Sequence, residues 1–228
     1  MTSVRVLSTL AVMGAMRELS AQYSTDTGID LDADFSPTVA LLERLRAGEV
    51  ADIAILTAQG IDELIREGIM SLGTRTDIAL SFVGIAVKAG APKPDITSVD
   101  ALKHTLLAAR SVAYSKIGAS GIFFAGLIER LRIASEVNAN AVVVSSGFTA
   151  EQVVSGRAEL AVQQISELLM VPGIEVAGPL PAEVQTIATF SAGLLAGSPQ
   201  PAEAAALLRF LASPKIAPIL RRTGLEPA

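Results

Sequence analysis

The sequence contains no cysteine, no tryptophan and a single histidine, His104. Without cysteine there are no disulfides, no thiolate metal sites and no cysteine nucleophile. One histidine leaves little from which to build a histidine-rich metal site or a Ser-His pair. Aromatic residues make up only 4% of the 228, so a core must come from Ala, Val, Leu and Ile, and half of all residues are apolar. Positive charge is also short: the net charge of −5 argues against a general nucleic-acid surface. No apolar run reaches the roughly 18 residues expected of a membrane helix. The length allows one large domain or two small ones.

What is present is a repeated local pattern. Val4–Leu7 reads as an apolar strand running into a helix, with Ser8 and Thr9 at the junction. The stripe Val12, Met16, Leu19, Tyr23 marks that helix as a folded element rather than a leader, and Arg17-Glu18 interrupts the apolar stretch. Strand, hydroxyl turn and helix recur at Phe35-Ser36-Pro37-Thr38 and from Tyr114-Ser115 to Ser120-Gly121. Two readings apply to each turn. The hydroxyl can cap the helix by accepting from a free N–H. Alternatively, hydroxyls, free amides and the positive helix end together hold an oxyanion.

Along the chain, short apolar strands alternate with amphipathic helices. Ser36-Pro37 reads as an N-cap followed by proline at the first helical position. Ala51–Leu56 is a buried parallel strand around Asp52, which is expected to buttress nearby backbone. Thr149-Ala-Glu-Gln152 has a capping-box pattern. This alternation predicts parallel sheets with helices on both faces. Two long apolar strands, near 80–87 and 186–195, carry the chain across and back. The expected division is a discontinuous lobe of residues 1–82 plus 186–228 and an inserted lobe of residues 83–185, with the ligand cleft between them.

At this point the residues resemble the type II periplasmic-binding-protein superfamily, in its molybdate-binding-protein-like branch. The resemblance covers nearly the whole chain. It rests on the Val6-Leu-Ser-Thr9 turn, Phe35-Ser-Pro-Thr38, Arg46-Ala-Gly-Glu-Val-Ala-Asp52 and Leu160-Ala-Val-Gln-Gln-Ile-Ser-Glu167. The resemblance implies ligand contacts at Ser8 and Thr9, at Ser36 and Thr38, and at Ser115 and Ser120. The family places a tyrosine about where Gln164 stands, and Lys116 is a charge that a neutral-donor site does not need. Ala89-Gly-Ala-Pro-Lys-Pro-Asp95 and Gly178-Pro-Leu-Pro-Ala-Glu183 are similar to a leaderless, aconitate-isomerase-like subgroup.

Two functions follow as expectations. One is a binding protein for a molybdate-like oxyanion or a di- or tricarboxylate, using Ser8, Thr9, Ser36, Thr38, Ser115, Ser120 and Gln164. The other is an isomerase that moves a double bond in an unsaturated tricarboxylate, with Lys116, Glu167 or Tyr114 transferring the proton. A sensing module for a partner ranks last. Neither main reading calls for a cofactor, a metal, nucleic acid or membrane insertion. As the sequence stands it reads as cytoplasmic; if a signal peptide was removed it is periplasmic, with a transporter membrane component as partner. For Glu167 the ordinary alternative is a carboxylate at a helix start, for Arg75 an ion pair with Asp77, and for Tyr114 a core tyrosine. His104 reads as a solvated helix residue.

Overall fold

The computed structural model describes residues 3–228. It contains two compact units. The first comprises the chain up to Ser81 together with Ala188–Ala228, and the second comprises Phe82–Ile187.

In the first unit, β1 (Ser3–Thr9) leads through a turn of 3₁₀ helix, Leu10–Val12, into α1 (Met13–Thr27). The helix stops at Gly28, whose φ of 72° suits a residue without a Cβ. Then follow β2 (Asp30–Ser36), α2 (Thr38–Arg46), β3 (Ile53–Thr57) and α3 (Ala58–Arg66). β2, β1 and β3 are parallel and lie in that order, so β1 is flanked on both sides. β4 (Thr76–Lys88) carries the chain into the second unit.

There the order is α4 (Val99–Ala108), β5 (Val112–Ser115), α5 (Ala119–Arg130), α6 (Ala134–Ala139), β6 (Ala141–Val144), α7 (Ala150–Val154), β7 (Leu160–Gln164), α8 (Ile165–Leu168) and β8 (Ile174–Pro179). β6, β5 and β7 are parallel in that order, and the second half of β4 pairs antiparallel with both β7 and β8. Back in the first unit, β9 (Ile187–Leu194) runs antiparallel to β3. α9 (Pro201–Leu211), α10 (Ala217–Arg222) and the short β10 (Glu226–Pro227) complete the chain, with β10 on the first half of β4. None of the described helices is long and apolar enough to cross a membrane.

Each unit buries both faces of its sheet. Val4, Val6, Ile53 and Ile55 face one apolar cluster, while Leu7, Ala54 and Leu56 face another. In the second unit Val112, Tyr114, Leu160 and Val162 face one cluster and Ala113 and Ala161 the other. Side chains alternate along a strand, so a wholly apolar run is what a sheet covered on both sides requires. The two units thus share one plan: the first strand lies between the second and the third. In such parallel sheets ligands bind beyond the carboxyl ends of the strands, where the chain order reverses. Those ends are Thr9, Ser36 and Thr57 in one unit and Ser115, Val144 and Gln164 in the other.

Candidate functional site

Within each unit the strands end in polar residues, Val144 of β6 excepted, and the register aligns them. Thr9 pairs with Ser36 across β1 and β2, and Ser115 pairs with Val144 across β5 and β6. Ser8, Thr9, Thr38, Ser115, Ser120 and Gln164 are all buried. The capping reading of the turns fails. Thr9 stands at the start of its helical turn without a side-chain cap bond. Instead, the Ser8 hydroxyl donates to the Thr9 carbonyl at 3.2 Å.

At the second turn the N-cap is Pro37, and the helix begins at Thr38. This corrects the expectation of a Ser36 cap with proline at the first helical position. The reason is Arg44, in the last turn of α2, whose Nη1 donates to Ser36 Oγ at 2.8 Å and holds it away from the helix amides. The same guanidinium binds Asp34 at 2.5 Å and Glu49 at 2.6 and 2.7 Å. Arg5 joins Glu49 at 3.1 Å and Asp32 at 2.9 Å. Hydrogen bonds from Arg44 and Arg5 hold the Glu49 carboxyl far down, at about 2. Two guanidiniums against three carboxylates leave this network without surplus positive charge. The first free amides of α2 have no side-chain cap, and Thr38 Oγ1 is buried with no hydrogen-bond partner among the described residues.

At the third turn the N-cap is Gly118, again with no side-chain cap. Ser115 Oγ accepts from the Ile117 N–H at 3.3 Å, while Lys116 stands exposed. Ser120 is buried in the first turn of α5. Sequence reasoning missed Thr57 at the end of β3, which does cap its helix, its Oγ1 accepting from Gly60 N at 3.2 Å. It also missed Arg44, although the alternation Asp30, Asp32, Asp34 along β2 was a signal that basic partners lie nearby.

β7 ends in a dense polar group. Gln163 lies on the α7 side of the sheet and Gln164 on the opposite side, by strand alternation. The capping box expected at Thr149–Gln152 is absent, because Thr149 Oγ1 donates at 2.9 Å to Gln163 Oε1 instead. A capping box forms at Gln164–Glu167: the Gln164 side chain accepts from the Glu167 N–H, and Glu167 Oε2 accepts from Gln164 N at 3.2 Å. Burial pushes the Glu167 carboxyl up to about 7, against the lowering effect of hydrogen bonds from Gln164 and Gln163. The adjacent Ser166 Oγ is buried with no partner among the described residues.

Other candidates are occupied elsewhere. The Tyr114 hydroxyl donates to Asn138 Oδ1 at 2.5 Å and its ring packs edge-on against Phe124, so it is a core residue and not an acid for a ligand. Arg75 binds Asp77 at 2.8 Å and Asp62 at 2.7 Å, the ordinary alternative. Asp52 accepts from Arg5 N, Ser198 Oγ and Gln200 N at 2.6–2.9 Å, a buttress as expected. His104 is exposed on α4.

Known proteins share this architecture. An aconitate isomerase from Pseudomonas sp. is 36% identical over 232 residues, spanning 99% of this chain and 88% of that protein. The periplasmic molybdate-binding protein of Azotobacter vinelandii superposes with a TM-score of 0.83 at 18% identity, covering 97% of this chain and 98% of that one. The sulfate-binding protein SubI of Mycobacterium tuberculosis gives 0.79 at 15% identity, covering 100% and 88%. The fold is that of the type II periplasmic-binding proteins. The family model described as bacterial extracellular solute-binding protein matches residues 4–226, and the chain belongs to that family.

Proposed function

We propose that the protein binds a small oxyanion or polycarboxylate through its strand-end turns. In the first unit the donors are Thr9, Ser36 and Thr38, and in the second Ser115, Ser120 and Gln164; the Ser8 hydrogen is already given to the Thr9 carbonyl. The observation that carries this reading is the Thr38 hydroxyl, buried without a partner among the described residues in the first turn of a helix whose amides lack a side-chain cap. A buried hydroxyl left unpaired costs about 1–3 kcal/mol, and an oxyanion accepting from it and from the neighbouring amides removes that cost. Ser36 and Ser115 fit the same role. Each already accepts from an N–H, so its own hydrogen is free to donate. The molybdate- and sulfate-binding relatives support this ligand class. On this reading the protein works outside the cytoplasmic membrane and delivers its ligand to a transporter membrane component.

The test is titration calorimetry with molybdate, sulfate and trans-aconitate on the wild type and Thr38→Val. The expected result is binding of at least one anion, weakened about tenfold in the variant. Equal affinity in the two proteins would overturn the assignment.

A second reading is favoured by Glu167 and by the 36% identical aconitate isomerase. Isomerisation removes a proton from the methylene beside one carboxylate, shifts the double bond, and returns a proton to the former vinyl carbon. There is no net proton change, so one group with a proton affinity near neutrality serves both steps. Glu167 has that property, and exposed Lys116 is the alternative carrier; neither needs a transporter. Proton NMR of trans-aconitate in D₂O, with Glu167→Gln and Lys116→Ala alongside, decides the matter. Conversion lost in one variant names the carrier, and no conversion by the wild type leaves the binding reading alone.

A further inference from the structure

Behind Glu167 the second unit holds a buried polar chain whose other members, Thr149 and Gln163, neither reading uses. Thr149, Gln163 and Glu167 are 0, 3 and 7% exposed. Thr149 donates twice to Gln163 Oε1, from its backbone N at 2.8 Å and from its hydroxyl at 2.9 Å. With that oxygen occupied by two donors, the amide group has one orientation. Its nitrogen is then left as the hydrogen-bond donor that acts on the Glu167 carboxyl, whose Oε2 is fixed beside the peptide joining Gln163 to Gln164. Gln164 N supplies a second donor at 3.2 Å. Among the described residues no countercharge takes part. α8 packs on β7, which carries no charged residue, and on β8, which carries only Glu175. The Glu175 carboxylate is turned to Gly90 N at 3.0 Å and to Lys93 at 3.7 Å. Glu167 is therefore governed by burial on one side and two N–H donors on the other.

We propose that Gln163 and Thr149 are positioning residues that orient the Glu167 carboxyl for proton exchange. This deepens the isomerase reading and rests on it for its functional meaning. The geometry makes the order of effects specific. Removing the Gln163 amide leaves burial opposed by one donor only, so the carboxyl holds its proton to higher pH. Removing the Thr149 hydroxyl leaves the backbone N–H to hold Gln163 Oε1, so the change is smaller. Restoring a hydroxyl with serine restores the orientation.

The experiment is a carbon-13 NMR titration of the Glu167 side-chain carboxyl in the wild type, Gln163→Met, Thr149→Val and Thr149→Ser, with circular-dichroism melts to show that each is folded. The Glu167→Gln protein assigns the resonance. The expected midpoint rises by at least one pH unit in Gln163→Met, by less in Thr149→Val, and returns to the wild-type value in Thr149→Ser. A midpoint unchanged in Thr149→Val and in folded Gln163→Met would overturn the proposal. If Gln163→Met does not fold, the Thr149 pair decides: an equal midpoint in valine and serine proteins would also overturn it. The pH profile of trans-aconitate conversion is expected to move by the same amount as the midpoint. Absence of conversion in the wild type would count against the isomerase reading, while the titration would still judge the positioning role.

Discussion

Gly121 lies directly on the backbone of Ser115: a Cβ added at Gly121 would overlap the Ser115 carbonyl oxygen and stand 3.0 Å from its nitrogen. The first turn of α5 can approach the end of β5 this closely only because residue 121 has no side chain. The contact presses the uncapped helix start against the strand end that carries Ser115. Gly121→Ala is expected to cost at least about 3 kcal/mol, since the opposing atoms are backbone and cannot swing aside. Gly126, five residues further along the same helix, is the control. A Cβ there meets only the end of the Arg130 side chain at 3.5 Å. Gly126→Ala is expected to stabilise by about 0.5–1 kcal/mol through helix propensity. Urea unfolding of the two variants checks both signs; equal effects would show that the close approach is not a constraint.

Thr38→Val offers a separation of stability from binding. The valine keeps the shape of the buried side chain and removes a hydroxyl that has no partner among the described residues. Without ligand the variant is expected to be more stable by about 1 kcal/mol, because an unpaired polar group leaves the interior. With a bound anion the order reverses, since the wild type alone gains the extra donor. Thermal melts with and without molybdate measure both. A variant less stable than the wild type in the absence of ligand would show that the hydroxyl has a partner after all.

Much of this architecture was legible because it rests on patterns of one residue type. The apolar run Ala51–Leu56 predicted a buried parallel strand, and the core clusters cover it on both faces. Hydroxyls at the strand ends marked the turns. Illegible was which partner each polar side chain takes, because that depends on residues distant in sequence. Thr149 has the spacing of a cap and instead serves Gln163, fourteen residues away. Ser36 reads as a cap until Arg44 folds back onto it. Tyr114 reads as a candidate acid until Asn138 is found 2.5 Å from its hydroxyl. Short helices such as α6 and α8 also escape a periodicity argument, having too few residues to show a stripe.

Arg44 is expected to act on Ser36 by geometry, not by attracting the ligand. Its charge is met by Asp34 and Glu49, and its Nη1 donates to Ser36 Oγ. Arg44→Lys keeps the charge but loses the fork that reaches Ser36, Asp34 and Glu49 together. Anion affinity is expected to fall about tenfold, with the same dependence on salt as in the wild type. A loss that disappears at high ionic strength would instead make Arg44 an electrostatic attractor. Calorimetry at two salt concentrations distinguishes the two.

Glu167 makes stability depend on pH in the direction opposite to a salt-bridged carboxylate. Its carboxyl is pushed up from the ordinary value of 4.5 to about 7 by burial. Below about pH 4.5 it is protonated in both folded and unfolded chains and has no effect. Between about 4.5 and 7 the unfolded chain releases the proton while the folded chain keeps it, so the folded state loses stability as pH rises. Above about 7 both are ionised and the penalty is constant, at roughly 3 kcal/mol from the size of the shift. Glu49 works the other way: held down by Arg44 and Arg5, it stabilises above about 4.5 and loses that contribution as the pH falls towards about 2. A difference between two proteins cancels Glu49 and every other shared group. Glu167→Gln retains an oxygen that can accept from Gln164 N and cannot ionise. It is therefore expected to unfold at the same urea concentration as the wild type at pH 4 and at a higher one at pH 8. Matching midpoints at both values would mean that Glu167 is not held protonated by burial, and would remove the support it gives to a proton-transfer role.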